Sequence, residues 1–471
     1  MIKKKSKIVF KIVLLLFVAC MSKASMLKGP TGLTKQNEEA KSEAQQSLSF
    51  AIESKPKQFS AIKCLLLCIG DNKLITMVAQ EIKFDLEFTD QLDVHIQKTS
   101  KMLDKQVTQK LFKQGTSLCL YLQPMNEKRS KNNRVKVQIK LVDTSSQAAV
   151  FEKEYTFTEK ERICHAHQVS ADLLPVLTGS KGVTMSSLAY CKQLAPQHKI
   201  ICVSDYACLQ EKVLVSTPSL NVAPCWHSKD PLLFYSQFTR TKARLMSVNF
   251  SGHHSIICSY DGLTMQPSFS KDGKKVALCM SGKRGNSEIY EYDQRLCHKL
   301  QKRVYVPLTN NGANNVSPTL LPDDNLIFCS DFETGYPQIY YLNKANKEVS
   351  RVTSGKGHCA APCYNEKNNA IVYIRLVKGV FQLFSCSLEK NRCNEKQLTF
   401  DQRDKLDPTW SSCGRYVAFT LECINEKNGK KTPQIAALNC QSGKIRVLTH
   451  SKEPKSFAAW IDAPHYWAQK A

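Results

Sequence analysis

The chain has 471 residues, 42% of them hydrophobic, which is enough for two or three ordinary domains and too apolar for a disordered protein. Its formal net charge of +25 favours anionic partners such as acidic proteins, a membrane surface or nucleic acid. No zinc finger, arginine tract or aromatic–basic RNA signature accompanies that charge, so a diffuse lysine-rich surface is the simpler expectation.

The opening "MIKKKSKIVFKIVLLLFVAC" has Lys3, Lys4, Lys5 and Lys7 ahead of an apolar run from Ile8 to Ala19, the layout of a secretory signal over residues 1–24. Two processing routes fit: cleavage before Ser25, after the small residues Ser22 and Ala24, or lipidation of Cys20 in the lipoprotein-like box Phe17–Cys20. No later stretch has the roughly 20 uninterrupted apolar residues of a membrane helix, so a soluble exported protein is expected unless Cys20 is acylated. Either route leaves an odd number of the 20 cysteines available for pairing, so at least one thiol is free or bonds another molecule. Cys386 and Cys393 flank a hairpin turn and could pair across it.

Residues 25–46 are polar and Gly/Lys/Glu/Gln-rich, the composition of a flexible linker. From residue 47 the pattern becomes that of a small α/β domain, expected over 47–182. "SLSFAIE" alternates Leu48, Phe50 and Ile52 like an edge strand, and "KCLLLCIG" is a buried strand ended by Gly70. Met102, Leu103, Gln106, Val107 and Leu111 mark a helix closed by Gly115. "RVKVQIKLVDT" alternates Val135, Val137, Ile139 and Leu141, and a last helix runs from about Glu159 to Leu177, ending at Gly179.

The remainder, residues 183–471, repeats. "PCWHSKDPLLFY", "PSFSKDGKKVAL", "PTLLPDDNLIFC", "PCYNEKNNAIVY", "PTWSSCGRYVAF" and "AAWIDAPHYW" align on Trp226, Phe269, Leu320, Tyr364, Trp410 and Trp460, at intervals of 43, 51, 44, 46 and 50 residues. Such periods belong to propeller blades or helical solenoids. Each phrase joins a Pro, an apolar residue, a turn such as Lys271-Asp272-Gly273, and an alternating strand. A further strand follows ("EIYEY", "QIYYL", "QLFSC", "QIAAL"), and each unit closes on an apolar–Thr pair: Leu308-Thr309, Val352-Thr353, Leu398-Thr399 and Leu448-Thr449. The pattern predicts blades, with each phrase the turn between the first two strands. Only 11 residues follow Trp460, enough for one strand, while "SSLAYC", "KIICVSDY" and "EKVLVST" precede the first phrase. The expectation is an all-β six-bladed propeller whose ring is closed by strands from both ends of the segment.

Chemistry is sparse. The sequence holds neither a Gly-x-Ser-x-Gly elbow with its hydrolase domain nor a phosphate-binding Gly-Lys-Ser/Thr loop. His358, Cys359 and Cys363 come nearest to a metal cluster but lack fourth-ligand spacing. His253-His254 sits in a blade loop, and His165 and His167 are spaced so that they face apart on a helix. No enzyme activity, cofactor or metal is expected.

This order of segments resembles the TolB family of the Tol–Pal cell-envelope system. The resemblance rests on "QIKLVDT", on Arg162, Ala166, His167, Ala171 and Asp172, on "LTGSKG" from Leu177, on "VSDY" from Val203, on the six phrases and on the terminal "AAW". The third and fourth phrases depart from it, with Leu320 and Tyr364 in place of Trp and Asn368-Asn369 in place of the Gly turn. The resemblance implies a periplasmic, non-catalytic scaffold supporting outer-membrane integrity and constriction at division, with outer-membrane proteins as further candidate partners. It implies docking of the peptidoglycan-associated lipoprotein Pal at the mouth fringed by loops entering each Pro-x-aromatic strand. Here those positions are Leu263, Thr264, Met265, Gln266, Asn314, Asn315, Val316, Ser317, Gly357, His358, Lys405, Leu406 and Asp407. It further implies TolA binding through Leu48, Ser49, Phe50, Ala51 and Ile52. The alternative is a secreted or lipidated propeller that binds a small ligand or glycan in its channel.

Overall fold

The structure, a computed structural model, describes residues 61–462 except 126–133, 241, 261–263, 282–284, 295–303, 356, 390–391, 425–428 and 430. The expected signal (residues 1–24), the expected linker (25–46), Leu48–Ile52 and Leu263 therefore lie outside the described residues.

Five strands and three helices come first: β1 (Ile62–Ile69), α1 (Lys73–Glu87), β2 (Leu92–Thr99), α2 (Lys105–Lys113), β3 (Leu118–Pro124), β4 (Val135–Asp143), β5 (Ala149–Phe157) and α3 (Arg162–Thr178). The strands form one sheet in the order β2-β1-β3-β4-β5, with β1 parallel to β2 and β3 and the rest antiparallel. Alternation in β4 sends Val137, Ile139 and Leu141 into the core beneath α1 and α3, where they meet Ile82, Leu86, Val169 and Leu173. Asn72 caps α1 by accepting from Leu74 N and Ile75 N, and Gly179 ends α3 at φ +70°. One detail differs from the sequence expectation: Met102 and Leu103 precede α2, which starts after the Asp104 cap. Val107 of α2 is 40% exposed. Helix α1, with no Gly or Pro and an apolar stripe at Ile75, Val78, Ala79, Ile82 and Leu86, carries much of the core although no sequence expectation named it.

Strands dominate the rest. The chain continues with β6 (Ser187–Ala195), β7 (His198–Asp205), β8 (Lys212–Val215), β9 (Leu220–Trp226), β10 (Leu232–Phe238), β11 (Ala243–Asn249) and β12 (His254–Tyr260). Next come β13 (Thr264–Phe269), β14 (Lys275–Ser281), β15 (Ser287–Asp293) and β16 (Val306–Pro307), then β17 (Asn315–Leu320), β18 (Leu326–Ser330), β19 (Gln338–Asn343) and β20 (Glu348–Arg351). The series ends with β21 (Cys359–Asn365), β22 (Ala370–Val377), β23 (Val380–Glu389), β24 (Arg392–Gln397), β25 (Lys405–Trp410), β26 (Tyr416–Ile424), β27 (Lys431–Asn439), β28 (Ile445–Val447) and β29 (Lys455–Ile461).

From β13 to β28 each group of four consecutive strands is one antiparallel sheet. The C-terminal β29 pairs antiparallel with β6, so its sheet runs β29-β6-β7-β8, and a parallel bridge from Lys199 to Leu220 ties β7 to the β9–β12 group. This is a series of propeller-like four-stranded sheets beside a small α/β region. The turn Lys271-Asp272-Gly273 lies between β13 and β14, the first two strands of their sheet, and Gly273 takes φ +75°.

A kink repeats in the first strand of each sheet. Ladder registers shift between Met265 and Ser268, Val316 and Thr319, Ala360 and Cys363, Leu406 and Thr409, and Ser456 and Ala459. Inside four of these shifts, and in β9, sits a residue with positive φ: Ala223, Ser317, Ala361, Asp407 and Phe457, at +51° to +58°. In four of the five the next residue is Pro, which has no N–H to give a ladder and is tolerated in a strand at such a bulge. The recurring Pro of the sequence phrase thus marks a bulge.

Candidate binding face and interdomain junction

Antiparallel pairing brings the loops entering first strands to the same end as the loops joining second to third strands. Asn315 opposes Ser330, for example, so the loop before β17 meets the loop after β18. Asn314 fastens that meeting, its N and Nδ2 donating to the Asp331 carboxylate at 2.8 and 2.9 Å.

The entering loops are pinned from below by one repeated device. Thr353 Oγ1 donates to Gln338 Oε1 (2.8 Å) and accepts from Ile339 N (3.1 Å). Thr399 does the same with Gln382 and Leu383 (2.7 and 2.9 Å), and Thr449 with Gln434 and Ile435 (2.8 and 2.9 Å). Thr309 uses Glu288 and Ile289 (2.5 and 2.9 Å). The Gln amides then reach up to loop carbonyls: Gln338 to Gly357, Gln382 to Asp401 and Gln434 to Ser451. The apolar–Thr pairs and the strand-opening Gln residues are therefore the two halves of one staple. Loops held at both ends lose little freedom when a partner binds.

Among the positions the family resemblance assigns to Pal, the described ones divide by burial. Asn315 is fully buried, its amide donating to Glu288 Oε2 (2.9 Å) and Asn311 Oδ1 (2.7 Å). Lys405 is also fully buried, its ammonium held by Asp401, Gln382 Oε1 and the Arg403 carbonyl; burial pulls its pKa below the usual lysine range against the pull of Asp401. Leu406 is buried against the Trp410 and Phe419 cluster. Asn314, Val316, Ser317, Gly357, His358 and Asp407 are half-buried. Thr264, Met265 and Gln266 belong to β13 by backbone. Burial pushes the Asp407 carboxyl up to about 6, against Lys199 nearby and the Thr420 hydroxyl.

No sequence expectation named the large apolar groups beside these loops. Tyr336 (58% exposed) stacks on His358 with centroids 5.3 Å apart, Phe332 (46%) lies in the same loop as Tyr336, and Phe400 (73%) precedes Asp401. They are the exposed apolar matter a partner could cover. His358, Cys359 and Cys363 have separate engagements: His358 on Tyr336, and Cys359 Sγ accepting from Arg375 Nε at 3.2 Å. Among the described residues no group of three His, Cys, Asp or Glu could hold a metal. The Cys386–Cys393 disulfide does form, with Cα atoms 5.5 Å apart.

At the opposite end the α/β region docks on the propeller. Phe88, just past α1, fills a cage of Tyr206 and Tyr416 (centroids 4.9 and 5.1 Å) with the Arg446 guanidinium 5.0 Å over its ring. Asp90 binds Arg446, Ser442 Oγ (2.7 Å) and Asn439 Nδ2 (2.9 Å); burial works against its carboxylate, but Arg446 and Ser442 outweigh it and hold the pKa below the usual range. Beside this, His167 of α3 lies between Asp85 of α1 and Asp205 of β7, all essentially without solvent exposure. No sequence pattern assigned His167 this role, yet His167 and the "VSDY" that contains Asp205 and Tyr206 are among the residues carrying the family resemblance.

Residues 175–460 match the family described as "TolB beta propeller domain". The chain is 25% identical over 294 residues to the Tol-Pal system protein TolB of Helicobacter pylori (strain HPAG1), covering 57% of this chain and 65% of that protein. The Francisella tularensis subsp. mediasiatica (strain FSC147) protein of the same name is 28% identical over 345 residues, covering 69% of this chain and 77% of its own length. The chain thus spans just under two thirds of the Helicobacter relative. The crystal structure of TolB from Acinetobacter baumannii superposes with a TM-score of 0.71 over 85% of this chain and 96% of that one, at 20% identity, a likeness of fold. Among the described residues no helix is long and apolar enough to cross a membrane.

Proposed function

The chain belongs to the TolB β-propeller family, and we propose that it is a non-catalytic periplasmic scaffold of a Tol–Pal system, docking the lipoprotein Pal on its pinned-loop face. In this reading residues 183–471 make six blades, residues 47–182 the α/β domain, and residues 1–24 and 25–46 the signal and linker. Supporting six blades, each sheet's first strand touches the next around a circuit: β9 with β13, β13 with β17, β17 with β21, β21 with β25, β25 with β29 and β29 with β9. Supporting closure, β29 and β6 share one sheet although they lie at opposite ends of the segment.

The observation that carries the binding proposal is Tyr336, Phe332 and Phe400 exposed beside stapled loops. Asn314, Val316, Ser317, Gly357, His358 and Asp407 form the half-buried part of the proposed contact, and Leu263, Thr264, Met265 and Gln266 complete the proposed set. Asn315, Lys405 and Leu406 act from beneath, holding the loops. TolA engages Leu48–Ile52 by adding a strand to a sheet, with main-chain hydrogen bonds and alternate side-chain pockets.

The test is Tyr336→Asp with Phe400→Asp in the mature chain, titrated against the soluble peptidoglycan-binding domain of the lipoprotein. Central anchors cost about 2 kcal/mol or more each when lost, so affinity should fall about thirtyfold for either change alone and on the order of several hundredfold for the pair. Deleting residues 47–53 should abolish TolA binding and spare lipoprotein binding. Unchanged affinity in a folded double variant would remove this face.

A further inference from the structure

His167 has both ring nitrogens on carboxylates. Nδ1 is 2.9 and 3.0 Å from the two oxygens of Asp85, and Nε2 is 3.2 Å from Asp205 Oδ2. An imidazole that meets an ionised acceptor on each side satisfies both only by donating from both nitrogens, that is, as imidazolium. Asp85 and His167 stand on helices of the α/β region, and Asp205 ends β7 of the propeller. The cation is therefore the bridge between two bodies that each contribute a buried anion.

Both carboxylates also accept hydrogen bonds from their surroundings. Tyr206 OH donates to Asp85 Oδ1 at 2.6 Å, while Leu209 N and Ser204 Oγ donate to Asp205 Oδ1 at 2.7 and 3.1 Å. The other charged groups at hand are Glu81 of α1 and Arg162 of α3, 4.0 Å apart, which offset one another. Two carboxylates on one imidazolium leave one uncompensated negative charge in a site without solvent. The chain passes from one body to the other through Gly179–Ser186. Gly182 there lies so close to Leu174 that a Cβ would fall 2.3 Å from Cδ1, and Arg415 Nη2 holds Ser180 Oγ at 2.6 Å.

We infer that Asp85–His167–Asp205 is an ionic latch that fixes the α/β region against the propeller through the positive charge of His167, and that His167 is a positioning residue acting by charge and not by shape. Burial alone would pull the imidazolium down, but Asp85 and Asp205 more than offset it and hold the group up at about 10, in keeping with the geometry. Removing the cation leaves two buried carboxylates facing one another, whereas neutralising Asp205 leaves a balanced pair. The single changes therefore differ in kind, and the second should partly repair the first.

The experiment uses the full mature chain with His167→Gln, Asp205→Asn and both together. The readouts are the rate of trypsin cleavage after the exposed Lys181 in the connector and hydrogen exchange at the Leu209 amide. Breaking a buried ion pair by removing one partner is a large effect, so His167→Gln should speed connector cleavage on the order of a hundredfold. Asp205→Asn should change it by less than about tenfold, and the double variant should recover most of the loss. Equal effects of the two single changes, or additive effects in the pair, would overturn the latch. Should His167→Gln fail to fold, selective 15N-histidine spectra of the unsubstituted chain decide: imidazolium shifts for His167 at pH 8 support the latch, and a neutral tautomer refutes it.

Discussion

Replacing Thr353 or Thr399 by Val keeps side-chain shape and deletes one hydroxyl, so the loop staples can be weighed against each other. In Thr353→Val two buried groups lose their partner: the Ile339 N–H and Gln338 Oε1, which accepts from Thr353. In Thr399→Val the Leu383 N–H is orphaned likewise, but Gln382 Oε1 still accepts from Lys405 Nζ at 3.2 Å. Each orphaned buried group costs about 1–3 kcal/mol. Thr399→Val should therefore cost about 1–3 kcal/mol and Thr353→Val roughly twice that, the small gain from the added methyl being common to both. Urea unfolding followed by tryptophan fluorescence reads this, since Trp226, Trp410 and Trp460 are all buried in the propeller. Lipoprotein affinity should weaken in parallel, because a released loop must be reordered on binding. Equal midpoint shifts, or shifts below about 0.5 kcal/mol for both, would refute the staple as drawn.

Other outcomes follow from named contacts. Arg446→Ala should loosen the α/β docking by about 1–3 kcal/mol at pH 7, since it removes the nearer of two cations from a mostly buried carboxylate and leaves Lys444 at 3.4 Å. Asp90 is held below the ordinary 3.8, so this contribution is present above that pH and lost as pH falls through the lower folded value; the gap between variant and parent melting curves should close in acid. Asp407 is raised to about 6, so its carboxylate burdens the fold at neutral pH and the burden lifts as pH falls through 6 towards 3.8; Asp407→Asn should stabilise at pH 7.5 and have little effect at pH 4. Reducing Cys386–Cys393, separated by 7 in sequence, should cost about 2 kcal/mol and shift unfolding without abolishing it. Peptide mapping of the non-reduced protein should recover the two as one cross-linked species.

What the sequence determined by itself was whatever repeats or alternates over a short span. Val137, Ile139 and Leu141 declare a strand because a pleat alternates faces every residue, and the turn at Lys271-Asp272-Gly273 is visible because only Gly takes its left-handed backbone cheaply. Recurrence of the Pro-x-aromatic phrase revealed the four-stranded units, and the strand around Trp460, too short a remainder for a unit of its own, pairs with β6. Helix α1 went unnamed although Asn72 caps it and its stripe recurs at helical spacing, and Val107, which helped mark α2, lies on that helix's exposed side.

Tertiary structure decided which polar residues act together. Thr353 and Gln338 are 15 residues apart, and only the return of the blade's last strand brings a hydroxyl against that amide. Asn315 and Lys405 look like loop contacts in sequence, yet the fold buries them as the supports of those loops. The widest gap is at the junction, where Asp85, His167 and Asp205 are separated by 82 and 38 residues and lie on two different bodies. No local period marks such a site, because its members are chosen by the balance of charge in a place without water, and that place exists only once both bodies have packed.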